Sequence, residues 1–167
     1  MGKDMGHELQ LAIQASVREA YIRHHEYVTV EHLLYALCFE ESTSEILYQC
    51  GADIDELRQE LEEYLESEIP RLKPNRAGHY ADPKQSIGFR RVLERAVLQV
   101  QSSGKGELGS GDVLVAIFAE PDAYSVYLLQ KQGVSRLDVV QYISHGVSKI
   151  EDEDGDGDGD GDGDGDG

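Results

Sequence analysis

Small and apolar residues return at three- and four-residue steps through Leu9, Ala12, Ile13, Ser16, Val17 and Ala20, which lays them along one face of a helix. Thr29 stands at an N-cap position, ahead of a second helix whose Leu33, Leu34 and Leu37 face inward. A short helix is expected over 44–49, ending at Gly51, the residue type that accepts a left-handed backbone after a helix end. Asp53 and Glu56 have capping-box spacing and open a fourth helix through Leu57, Leu61, Tyr64 and Leu65. Residues 70–84 then hold Pro70, Pro74, Pro83 and Gly78 and predict an irregular linker. Beyond it Ser86 opens a helix through Gln101, residues 102–106 break it, and Ser110 opens another through Phe118. A short helix over 124–132 ends at Gly133, and the Ser135–Asp138 capping box starts a last helix to about His145.

These two runs are one pattern written twice. Shifted by 80 positions, Leu9, Ala12, Ile13, Ser16, Val17 and Ala20 fall on Phe89, Val92, Leu93, Ala96, Val97 and Val100. His32 to Leu37 fall on Asp112 to Ile117, Glu40 on Glu120 and, after two extra residues, Gly51 on Gly133. The expected fold is therefore all-α: two four-helix repeats, over about 7–68 and 86–149, packed with pseudo-twofold symmetry and joined by a linker over 69–85. A doubled helical unit of this kind is a scaffold signature rather than a catalytic one.

Charge changes the picture only once it is divided along the chain. Ten acidic side chains lie in residues 151–167, an alternating Gly-Asp run, so the net charge of −18 falls to −8 over the first 150 residues. The run has nothing apolar to bury and repels itself, which predicts disorder. Asp154, Asp156 and Asp158 have the spacing of a calcium loop, but Gly165 stands where the closing glutamate belongs, so loose counter-ion attraction is the better reading. The folded part has no basic stripe for nucleic acid. No apolar run approaches the roughly 20 residues of a membrane span, and the first seven residues lack a signal-peptide core, so a cytoplasmic location is expected. Cys38 and Cys50 lack the spacing and company of a zinc site and read as small buried residues rather than a disulfide.

Candidate chemistry is sparse. His24, His25 and His32, with Glu26 and Glu31, form the one His/carboxylate cluster. Structural or surface histidines and convergence on a metal are the two readings; no His-x-x-x-His pair favours the metal. No nucleophile elbow or paired carboxylates are present, so no enzyme activity and no cofactor is expected. Leu11, Ala15 and Ile22 form a second apolar stripe on the first helix. Either it packs on other helices or it lines a shallow groove for unfolded segments.

Several stretches carry a resemblance. Thr29-Val30-Glu31-His32-Leu33-Leu34, the Phe89–Val92–Leu93–Ala96 spacing and Val100-Gln101-Ser102-Ser103-Gly104 resemble the N-terminal domain of the Clp ATPases. Residues 112–118 and 134–140, with Ile143-Ser144-His145-Gly146, narrow the likeness to the ClpA branch. In that family the domain precedes two AAA+ modules. No G-x-x-x-x-G-K-[ST] phosphate loop occurs here, and Gly104-Lys105-Gly106 reads as a turn. What the resemblance implies is a docking module, monomeric when isolated, that binds the ClpS adaptor and substrate polypeptides. In the full-length relative the AAA+ modules and ClpP complete the machine. By the same resemblance, adaptor contacts carry over to Glu26, Glu31, Ser86 (where the family commonly has threonine) and Arg91, with Arg90 adding charge beside it. The alternative is weak direct capture of unfolded segments without an adaptor.

Overall fold

Side chains placed just ahead of four helices hold their first turns, Thr29, Asp53, Ser86 and Ser135. The computed structural model describes residues 4–104 and 106–150; the disorder and calcium readings of the acidic run lie outside the described residues. Helices α1 to α8 span His7–Ile22, Val30–Leu37, Glu41–Gln49, Ile54–Glu68, Ile87–Ser103, Ser110–Ile117, Tyr124–Lys131 and Arg136–His145. Thr29 Oγ1 accepts from the His32 N–H, and His32 Nδ1 accepts from the Thr29 N–H, a reciprocal cap on α2. Ser135 and Asp138 do the same for α8, and Ser86 Oγ accepts from the Phe89 N–H at 3.0 Å to start α5.

One helix start differs from expectation, and two others are capped in ways the sequence did not announce. The helix expected at Ser44 begins at Glu41, where Thr43 Oγ1 donates to Glu40 at 2.7 Å while Ser44 Oγ reaches back to the Cys38 carbonyl. α6 begins at Ser110, as expected, with Gly109 as its N-cap: the Gly109 N–H donates to Asp112 Oδ2, while Ser110 Oγ donates to Glu40 at 2.6 Å. The Asp53–Glu56 box is half made. Asp53 accepts from the Glu56 N–H, but its own N–H donates to Gln132 Oε1 of the other repeat at 2.8 Å. At the ends of α3 and α7, Gly51 (φ +95°) and Gly133 (φ +82°) supply the left-handed turn, where a side chain is disfavoured.

Among the described residues, four two-residue strands, which two residues of alternation are too short to announce, join the repeats. They are β1 (Asp4–Met5), β2 (Tyr27–Val28), β3 (Lys84–Gln85) and β4 (Glu107–Leu108). β1 pairs parallel with β4 and β2 with β3, in the register Asp4 to Glu107 and Tyr27 to Lys84. The 80-residue shift converts one ladder into the other, as in an isologous contact between two subunits. α2 and α6 pack against each other at the centre, with Leu33, Leu34, Leu37, Val113, Leu114 and Ile117 all at zero exposure. The outer helices cover them with Leu9, Leu57, Leu61, Phe89 and Leu128. The architecture is an all-α double repeat with pseudo-twofold symmetry. No helix of the described residues is long and apolar enough to cross a membrane.

Candidate docking site

The β2–β3 ladder gathers residues that lie about sixty positions apart. The Glu26 carbonyl accepts from the Lys84 N–H at 2.9 Å, and the Val28 carbonyl from the Ser86 N–H at 3.0 Å. Glu26 and Ser86 thus flank one ladder, and Ser86 starts the helix that carries Arg91. The linker holds this corner from the other side, with the Glu26 N–H donating to the Pro70 carbonyl at 2.8 Å and the Leu72 N–H to the His24 carbonyl at 2.7 Å. Gly88 lets α5 lie close to α2, because a Cβ there would stand 3.2 Å from Val30 Cγ2. Glu26 itself is half-buried, and its carboxylate makes no ion pair or hydrogen bond among the described residues.

Arg91 is exposed but not loose. Its Nε and Nη2 grip both oxygens of Glu120 at 3.0 and 2.7 Å, and Arg95 adds a third contact at 3.2 Å. The hydrogen bond from Arg91, then that from Arg95, holds the Glu120 carboxyl below the usual carboxylate range. The bidentate grip fixes the guanidinium plane and leaves its Nη1 edge to solvent. Arg90 is exposed beside it.

Glu31 lies elsewhere. It is 6% exposed, and its Oε2 accepts from the Ser125 N–H at 2.9 Å and from Ser125 Oγ at 3.1 Å. A carboxylate of repeat one therefore sits on the amino end of α7 in repeat two, where the helix dipole favours negative charge. Of the four residues singled out from sequence, Glu26, Ser86 and Arg91 share the β2–β3–α5 corner, and Glu31 is an internal strut.

The histidines divide in the same way. His25 Nδ1 and His32 Nε2 are 2.8 Å apart, and both rings are fully buried. Because His32 Nδ1 accepts from the Thr29 N–H, its proton sits on Nε2 and is donated to His25 Nδ1, leaving the His25 proton on Nε2. That Nε2 makes no hydrogen bond of good geometry among the described residues. Burial, then the Arg23 and Arg71 charges, lowers His25 to about 4; burial, then His25 and Arg23, lowers His32 to about 3. His24 turns away at φ +59° and stacks on Tyr80 with ring centroids 3.6 Å apart. Among the described residues no group of three His, Cys, Asp or Glu side chains could hold a metal ion. Cys38 and Cys50 are free and buried, their thiols pushed up by burial to about 12 and about 11.

The second stripe of α1 faces outward. Leu11 and Ile22 are 51% and 53% exposed. Leu11 and Ala15 form one wall of an open groove whose other wall is Ala36 and Phe39 of the α2 end. Two adjoining cavities, of about 320 and 250 Å³, share Ala15, Ala36 and Phe39. The second stripe of α1 thus lines an open, largely apolar groove.

Residues 4–132 match the family model of the Clp repeat (R) N-terminal domain. A ClpA homolog protein of Fuscovulum blasticum is 39% identical over 141 residues, 84% of this chain and 18% of that protein, so the chain spans less than a fifth of that relative's length. Among solved structures, the Hsp104 N-terminal domain from Candida albicans superposes with a TM-score of 0.71 at 14% identity, covering 85% of this chain and 91% of that one. A ClpV N-domain in complex with a VipB peptide superposes with a TM-score of 0.66 at 21% identity, covering 85% and 86%. At these identities the two structures share the fold.

Proposed function

The chain belongs to the Clp repeat N-terminal domain family, and on that premise we propose that it is the docking domain of a ClpA-like AAA+ unfoldase, binding the ClpS adaptor through Glu26, Ser86 and Arg91. The reading is of a non-catalytic, cytoplasmic module that presents adaptor-held substrates to AAA+ modules and ClpP of a longer protein. The observation that carries it is the β2–β3 ladder, which sets an unpaired acid beside the helix holding a fixed, outward-facing guanidinium.

The physics of that corner suits a charged partner surface. Glu120 orders Arg91 before any partner arrives, so less side-chain freedom remains to be lost on binding. Its free edge takes a carboxylate, while Glu26 takes a lysine or arginine, and opposite charges side by side fix the orientation of the partner. Glu31 serves the same surface only indirectly, by locking the two repeats together.

Hydrogen–deuterium exchange with and without ClpS tests the site without altering it. The expected result is slowed exchange over 26–28 and 84–91. Slowing confined to other segments, or none at saturating adaptor, contradicts the proposal.

Direct capture of unfolded segments is the second reading, supported by the groove between Leu11 and Phe39 and by the ClpV N-domain of the same fold, whose structure holds a VipB peptide. It uses a different surface, so the two activities can coexist.

A further inference from the structure

The two repeats differ where their symmetry matters most. Position by position, the groove residues Leu11, Ala15 and Glu40 of repeat one correspond to Arg91, Arg95 and Glu120 of repeat two. In repeat two both arginines reach across to Glu120 and fill the space between α5 and the end of α6. In repeat one, leucine and alanine cannot reach, and Glu40 turns inward to Thr43 and Ser110, at 2.7 and 2.6 Å. The same cleft is thus closed by ion pairs in one repeat and left open and apolar in the other.

The open cleft has a fixed anchor and a charged end. Phe39 is 58% exposed, yet Arg58 lies over its ring at 4.5 Å and Tyr35 meets it edge-on with centroids 5.1 Å apart. These contacts hold the ring at the rim instead of leaving it to swing. Glu8 and Glu41 stand at one end, exposed and with no ion pair among the described residues; at the other end Glu19 is paired with Arg23. The negative field is therefore concentrated at one end of the groove.

We infer that this groove takes a polypeptide segment whose apolar side chains lie between Leu11 and Phe39 and whose lysine or arginine pairs with Glu8 and Glu41. The inference rests on the direct-capture reading and gives that capture a polarity and a charge preference. Charge complementarity selects the occupant. A second copy of the chain brings a net charge of −8 over its first 150 residues, and the Gly-Asp run is purely acidic, so both are repelled by this rim.

Fluorescence anisotropy with the full chain tests it. The probe is a labelled peptide with paired lysines ahead of a Leu-Leu-Phe run; its control replaces the lysines by glutamates. The lysine peptide is expected to bind at least about tenfold more tightly than the control. Leu11→Arg with Ala15→Arg, which copies repeat two into repeat one, is expected to weaken the lysine peptide by about tenfold or more while circular dichroism stays helical, since both positions are on the surface. Glu8→Lys with Glu41→Lys is expected to abolish the preference between the peptides. Failure of the unaltered chain to bind the lysine peptide overturns the inference. So does equal binding of both peptides, or undiminished binding by the arginine double variant.

Discussion

At His25 and His32 the backbone dictates protonation. The Thr29 N–H occupies His32 Nδ1, and the chain of donors that follows requires both rings to be neutral. Unfolded histidines take up protons near pH 6.5, whereas these hold out to about 4 and about 3. Protons therefore favour the unfolded chain in that window: stability is full above about pH 6.5 and falls as pH drops, by at most about 1.4 kcal/mol per unit per ring. Urea midpoints should fall steadily from about pH 7 to pH 5, and a flat profile over that span would refute the neutral pair. Glu31 gives a second residue-scale test. Glu31→Ala strands two donors of Ser125 and should cost about 1–3 kcal/mol in urea unfolding, whereas Glu26→Lys should cost less than about 0.5. Equal losses would contradict the assignment of one to the interior and the other to the surface. Sequence could not separate these acids, because Ser125 lies 94 residues from Glu31 and nothing local announces it. His24 was more legible than it looked, since the 80-residue shift sets it on Gly104, a left-handed glycine at φ +77°.

Among elements, the long periodic helices were readable because their apolar steps and caps agree. α1, α4 and α5 bury Leu9, Ala12 and Ala20, Leu57, Leu61 and Leu65, and Phe89, Val92 and Ala96, the positions the period selects. The strands were not readable, since their pairing is set by the packing of the two repeats rather than by any alternation of their own. They matter because they assemble the proposed adaptor corner, with Ser86 as the joint between ladder and helix. Ser86→Ala should cost about 1 kcal/mol through the lost cap, and Ser86→Thr should restore most of it. Thermal melts of the three proteins check this; a destabilised Thr variant would show that something other than the hydroxyl is at work. The groove on α1 was half legible. Leu11 and Ala15 are spaced as a stripe, but its opposite wall comes from Phe39, whose outward direction no periodicity fixes.

In the whole molecule, neither repeat closes its own core. α2 packs on α5, α6 and α7 as well as on its own neighbours, and Tyr64 of repeat one stacks on Tyr124 of repeat two at 4.3 Å. The repeats should therefore unfold together: urea transitions followed by far-ultraviolet circular dichroism and by tyrosine fluorescence should coincide. Two separated transitions would show instead that each repeat stands alone. A jointly built core also explains the division of labour on the surface. Symmetry supplies two equivalent clefts, and substitution of Leu11 and Ala15 for the arginine pair leaves one open while the other holds Arg91 in place. The central claim is that this held arginine, with Glu26 across the ladder, docks an adaptor. Calorimetric titration of the chain with ClpS, beside Arg91→Ala and Glu26→Lys, tests it most directly. One-to-one binding that each substitution weakens by more than about 1.4 kcal/mol, tenfold in affinity, is the predicted result. Absence of binding by the unaltered, folded chain, or binding indifferent to both substitutions, would contradict it.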